Sequence, residues 1–262
     1  MAADITWLDL RLRRRLIVGY TLGIAAYALV VVVLYPSFKT DTGLNQLTES
    51  GSAVAAMLGA IGTLTSPAGW LGANLYANFM PLIVLLATIG YGASGIAGQD
   101  EVGTLGLVTT LPMTRRAITV GKLAAMLGQA LPVPIVTALC VLAGRGFDLT
   151  IDPGPLLGVT VGVILLGLVF GTLALLIGAA TGSRGLALGL TSAAAAIAYL
   201  INSLAPVIGW LRPTRYSSPF FYAVGDHQLE HGLPLAWAAV LIGATLVFAA
   251  AAVAAFNRLD VH

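Results

Sequence analysis

GQDEVGTLGLVTTLPMTRRAITVGKL, residues 98–123, is the longest run of mixed polar and charged sequence between two strongly apolar segments. Apolar flanks of this length are membrane spans, so the stretch marks where the chain meets water on one side of a bilayer. Asp100 and Glu101 stand just ahead of a helical pattern over 104–111, where a helix N-terminus favours negative charge. Pro112 ends that pattern, because the residue before a proline is pushed out of the helical region. Arg115 and Arg116 follow at the foot of the next apolar run. The spacing predicts a short surface helix, acidic at its start and basic behind it, shaped as a lever for a second body to push.

Composition agrees with the flanks. Of 262 residues, 58% are hydrophobic and 9% charged, against about a quarter charged in soluble domains. The chain therefore reads as an all-α integral membrane protein. Its many Gly and Ala residues suit helices that approach closely in lipid. A net charge of +2 without a basic stripe argues against a nucleic-acid partner. Cys140 is the single cysteine and excludes an intrachain disulfide.

On either side of the opening stretch, apolar runs predict spans at 71–97 and 117–142, with others at 16–35, 156–180, 186–211 and 235–256. Each is long enough to cross a hydrocarbon core of about 30 Å at roughly 1.5 Å per residue. The run WLDLRLRRRL at 7–16 sets Trp and Leu among charges and predicts an N-terminal interfacial helix, lying in the membrane plane before the chain turns inward. The first apolar run is longer than a signal-peptide core, so it is read as an uncleaved span, stopped by Pro36. Within the polar segment 37–69, a weakly apolar patch at 53–64 reads as a surface or re-entrant helix.

Six spans put both termini on one side. With the termini inside, that side holds nine basic residues (Arg11, Arg13, Arg14, Arg15, Arg115, Arg116, Lys122, Arg184 and Arg258) against four outside, and the net charges are +4 and −2. The positive-inside rule then makes both termini cytoplasmic, in a plasma (inner) membrane protein of one domain without an evident repeat.

Several chemistries can be weighed directly. The serine-protease-like Gly-Ala-Ser-Gly at 92–95 needs a base at membrane depth, yet His227, His231 and His262 all fall outside the spans. Gly90, Ser94 and Gly98, four apart, read better as a small-residue packing face. His227 and His231 form an H-x-x-E-H pattern, but after His231 the only acid is Asp260, on the other side. A solvated outer loop is the expectation there, with no metal site. The only Gly-Lys pair, Gly121-Lys122, lacks the rest of a phosphate-binding loop. The spans also lack the ionisable residues of an ion-coupled carrier: Lys122 is read as snorkelling from one turn inside the interface, and Arg184 as lying in a turn. Energy would then come from outside the membrane.

At residues 98–122 the chain resembles the type-2 family of ATP-binding-cassette (ABC) permeases of bacterial exporters. Asp100-Glu101, Gly103-Thr104-Leu105, Leu107, Leu111-Pro112, Thr114-Arg115-Arg116 and Lys122 carry the likeness, and the six spans and Ser218-Pro219-Phe220 extend it. Asp100 departs from the family's usual glutamate. The resemblance implies that 104–111 is a coupling helix docked on a separate ATPase, with Asp100, Glu101, Gly103, Thr104, Leu105, Leu107, Leu111, Arg115 and Arg116 in that contact. It further implies two ATPase subunits and a second permease half, this chain or a sister, per transporter. The chain itself would hold no cofactor, ATP and Mg being bound by the ATPase, and would not be an enzyme.

Cargo is less legible. Apolar spans with scattered Tyr, Asn and Ser suit a hydrophobic or amphiphilic molecule such as a drug, antibiotic or lipid. The expected path runs between the two halves, lined by spans two and five. Its candidates are Asn74 and Asn78, read as sharing a helix face, and Ser192, Tyr199, Asn202 and Ser203, with Pro206 kinking the outer end. The same residues could instead only bridge helices within one subunit. An ion exporter subunit and a non-transporting membrane scaffold or immunity protein are the alternative functions.

Overall fold

In the computed structural model, residues 2–40, 64–101, 103, 114–225 and 227–258 are described. Among them every regular element is helical, and six helices are long and apolar enough to cross a membrane. The protein is thus an all-α, multi-pass membrane protein. Spans two, three and four form the interior, with 50%, 50% and 61% of their most apolar windows buried, against 22% in each of spans one, five and six. The three outer helices accordingly present apolar side chains, Leu22, Leu190 and Leu246 among them, to the surroundings.

Span one differs from the sequence expectation. It is a single helix, Ala2–Phe38, with no turn separating an interfacial piece from the span. The reason is periodic: Ile5, Thr6, Asp9, Leu10 and Arg13 keep an inward face, which Ile17, Tyr20 and Ile24 continue in phase. Nothing between Arg13 and Ile17 breaks a helix. Pro36 lies inside the last turn and does not stop it.

Span two starts at Pro67, capped by Ser66 Oγ accepting from Gly69 N at 3.0 Å. It then widens into a π-turn, Gly72–Tyr76, and resumes as an α-helix over Phe79–Gly95. The expected start at 71 missed its first turn. Where it crosses span four (Pro153–Thr181), backbones touch: a Cβ on Gly92 would lie 2.2 Å from the Gly171 carbonyl oxygen. Gly90, by contrast, has nothing within 4 Å of such a Cβ, so the close helix crossing runs through Gly92, Gly167 and Gly171 and not through the Gly90–Ser94–Gly98 face.

Span three is two abutting helices, Arg115–Ala130 and Pro132–Ala143. Thr114 caps it, its Oγ1 accepting from Ala117 N at 3.2 Å. Span four closes at Gly182, φ +65°, which a residue without Cβ adopts freely. Ser183 Oγ then caps span five, Arg184–Leu204, through Leu186 N at 3.3 Å. Span five stops seven residues before the expected 211, so Pro206 stands beyond the helix and kinks nothing. Between the expected spans ending at 211 and starting at 235, and from Gly209 on, the chain forms helical turns at Gly209–Ser217, Pro219–Val224 and Gln228–His231. Buried Phe220 and Phe221 hold it down, and a Cβ on Gly162 of span four would meet the Ala223 carbonyl oxygen at 2.4 Å. Span six is Leu235–Arg258, and its Phe256 packs in one cluster with Tyr91 and Ile118. The start of span one, with Ile5 and Leu10 against the same cluster, and the end of span six therefore lie at the same end of the bundle.

Candidate functional site

Of the 98–123 stretch, the described residues include the end of a short helix, Ala97–Glu101, and the start of span three at Arg115. Thr104, Leu105, Leu107 and Leu111, with the predicted 104–111 helix and the 53–64 patch, fall outside or almost wholly outside the described residues. Asp100 ends up in the last turn of the short helix, Gly103 adopts φ +72°, and Arg116 is exposed at the foot of span three. Glu101 does more than was expected. Its Oε1 accepts a hydrogen bond from the backbone N–H of Arg184 at 2.8 Å. The acid thus meets the N-terminus of span five, while its expected place ahead of the 104–111 helix lies outside the described residues.

Beside this anchor sits a buried polar cluster that sequence reading missed. Lys122 Nζ lies 2.9 and 3.2 Å from the two carboxylate oxygens of Asp9, and the Tyr91 hydroxyl donates to Asp9 Oδ2 at 2.5 Å. Lys122 is 2% exposed, so it does not snorkel. Span one supplies the counter-charge that the amphipathic reading had assigned to water. One turn along, Arg13 donates to Ser94 Oγ, and its guanidinium lies 5.0 Å above the Tyr91 ring centroid. Ser94 itself donates to the Gly90 carbonyl at 2.7 Å. Spans one, two and three are thereby tied together at the end of the bundle where span three begins, and Thr6 Oγ1 adds a 3.0 Å bond to the Gly121 carbonyl.

Between spans two and five lies a cavity of about 460 Å³, nearly all apolar, walled by Leu82, Leu86, Ile89 and Phe220. Asn78, Ser192 and Tyr199 line it too. The Tyr199 hydroxyl donates to Asn78 Oδ1, so these two join the spans within one chain across the cavity wall. Asn74 is elsewhere: its Nδ2 donates to the Trp70 carbonyl at 2.9 Å. The π-turn explains the separation, because its wider winding removes the α-helical phase that a spacing of four relies on. Asn202 and Ser203 are half-buried away from the cavity lining, and Asn202 Oδ1 has no hydrogen-bond partner among the described residues.

On the opposite end, the His227 and His231 rings stand 6.4 Å apart, with Glu230 3.8 Å from His227. Among the described residues no three His, Cys, Asp or Glu side chains converge as a metal site. Compared with models of known protein families the chain matches none, and no curated protein matches it.

Proposed function

We propose that the chain is the membrane-spanning permease subunit of an ATP-driven exporter of the ABC type, moving a hydrophobic or amphiphilic molecule out of the cytoplasm. A separate ATPase would bind ATP and Mg and press on the stretch from Asp100 to Arg116. The carrying observation is the connection between that stretch and the cavity. Glu101 is bonded to the first residue of span five, and Lys122 and Tyr91 converge on Asp9. A force on the stretch therefore reaches spans two and five, which wall the cavity, through polar bonds and not through loop chain alone. The cavity's volume of about 460 Å³ falls within the range of roughly 300–1,000 Å³ for sites holding small organic molecules, and its apolar lining fits a greasy cargo.

The test is co-expression with an ATPase encoded beside it, followed by purification and ATP-dependent uptake of a hydrophobic fluorescent dye into inverted vesicles. The pair should copurify, the isolated chain should hydrolyse no ATP, and deletion of residues 104–111 should abolish both copurification and uptake. Copurification without nucleotide-dependent dye movement would favour the scaffold reading. Hydrolysis by the pure single chain would overturn the division of labour.

A further inference from the structure

We infer that the exposed stripe of span one is a lipid-facing surface whose end carries a binding site for the phosphate headgroup of an anionic phospholipid, formed by Arg11 and Arg15 with Arg14 beside them. All three arginines are exposed, while Asp9 and Arg13 of the same helix turn inward. Among the described residues no carboxylate pairs with Arg11, Arg14 or Arg15, and the Arg11 guanidinium folds over the exposed Trp7 ring at 5.0 Å. An indole with a cation on its face is the side-chain pair expected at headgroup level.

Position along the helix selects the occupant. Arg11 and Arg15 share one exposed stripe with Val18, Leu22, Leu29 and Val33, at steps of four, three, four, seven and four. From Arg15 to Val33 the stripe is about 27 Å long at roughly 1.5 Å per residue, close to the hydrocarbon thickness of about 30 Å. With Val18 to Val33 against acyl chains, Arg15 and Arg11 fall in the headgroup layer of the same leaflet. A soluble partner would reach only the arginines and leave the apolar length unexplained. A second copy packed on this stripe about a two-fold axis along the membrane normal would set Arg11 and Arg15 against their own copies, a like-charge contact that disfavours it. An anionic lipid satisfies both halves of the stripe at once, its phosphate taken by guanidinium groups suited to two-pronged contact.

The experiment uses the full chain in vesicles containing brominated phosphatidylglycerol or brominated phosphatidylcholine, the Trp7 contribution being the difference between the protein and its Trp7→Phe variant. Quenching by the anionic lipid should exceed that by the zwitterionic one and fall in high salt. Each cation near an anionic surface contributes about 1 kcal/mol, so Arg11→Gln/Arg15→Gln should weaken the preference about 25-fold, whereas Arg11→Lys/Arg15→Lys should keep most of it. Excess inorganic phosphate should not displace the lipid. An equal Trp7 contribution to quenching by the two lipids overturns the inference, Trp7→Phe being a change at an exposed side chain that leaves the fold intact. A preference undiminished in the glutamine variant, with helical circular dichroism intact, would also overturn it. So would quantitative disulfide dimers from Leu22→Cys in a Cys140→Ala background, which would put a second copy on the stripe.

Discussion

Replacing Lys122 with Met should unsettle the fold far more than a membrane-surface lysine would. Its ammonium meets both oxygens of Asp9, at 2.9 and 3.2 Å, and the two side chains are 2% and 8% exposed. Removing one member of such a buried pair costs about 3–5 kcal/mol. Asp9 would keep the Tyr91 hydroxyl at 2.5 Å. A hydrogen bond to a charged group is worth about 1.5–3 kcal/mol, which holds the loss toward the lower end, about 3 kcal/mol. At about 2–4 °C per kcal/mol for a chain of this size, Tm should fall by roughly 6–12 °C. Asp9→Asn alone leaves Lys122 uncompensated and should cost a similar amount. The double variant Asp9→Asn/Lys122→Met carries neither charge, and Asn still accepts from Tyr91. It should therefore be less destabilised than the sum of the singles, by about 2 kcal/mol or more. The measurement is thermal unfolding followed by intrinsic fluorescence in one detergent at neutral pH, for all four proteins. Effects that add within about 0.5 kcal/mol would show that the two charges do not sense each other and would refute the pairing.

Gly92→Ala should destabilise the protein or abolish folding, since its Cβ would sit 2.2 Å from the Gly171 carbonyl oxygen, while Gly90→Ala, with nothing within 4 Å, should lie within about 0.5 kcal/mol of the parent; paired thermal melts check both. Glu101→Ala should cost only about 0.3–1 kcal/mol, as an exposed charge at the span-five N-terminus, yet reduce ATP-driven dye uptake severalfold; full-rate uptake by a normally assembled variant would remove Glu101 from the coupling role. Cysteines placed at Asn78 and Ser192 in a Cys140→Ala background should react with a polar maleimide to an extent that changes with nucleotide state, whereas one at Asn74, outside the cavity lining, should not; protection of all three in every state would leave Asn78 and Tyr199 with only a packing role.

What was legible in the sequence followed from chemistry that acts over a few residues. Pro153 and Gly182 bracket span four, and the expected 156–180 fell within three residues of its ends at both sides. Asn78, Ser192 and Tyr199 stood out as polar groups in apolar runs, and all three line the cavity. Asn74 failed because the Gly72–Tyr76 π-turn has no residue pattern of its own, so a spacing of four was given α-helical phase that the backbone does not keep. Span five was drawn too long because Ala205 to Leu211 is still apolar, although Pro206 and Gly209 withdraw the helix.

The larger omission was long-range. Asp9 and Lys122 are 113 positions apart, and Glu101 and Arg184 are 83 apart. Each residue taken alone has an adequate solvated explanation: an interfacial helix, a snorkelling lysine, a helix-end acid, a turn arginine. The joint placement becomes visible only when the inward face of span one is followed unbroken from Ile5 to Ile24, which carries Asp9 against spans two and three. Moving that pair from the surface to the interior leaves the topology argument intact. Asp9 and Lys122 fall on the same side in the expected topology and contribute zero together, so the +4 excess from which the positive-inside rule predicts cytoplasmic termini rests on arginines. Three of these, Arg11, Arg14 and Arg15, are the exposed ones on span one. The arginines on which the expected orientation rests thus include those proposed to meet the headgroups, while the buried Asp9–Lys122 pair cancels out of the count.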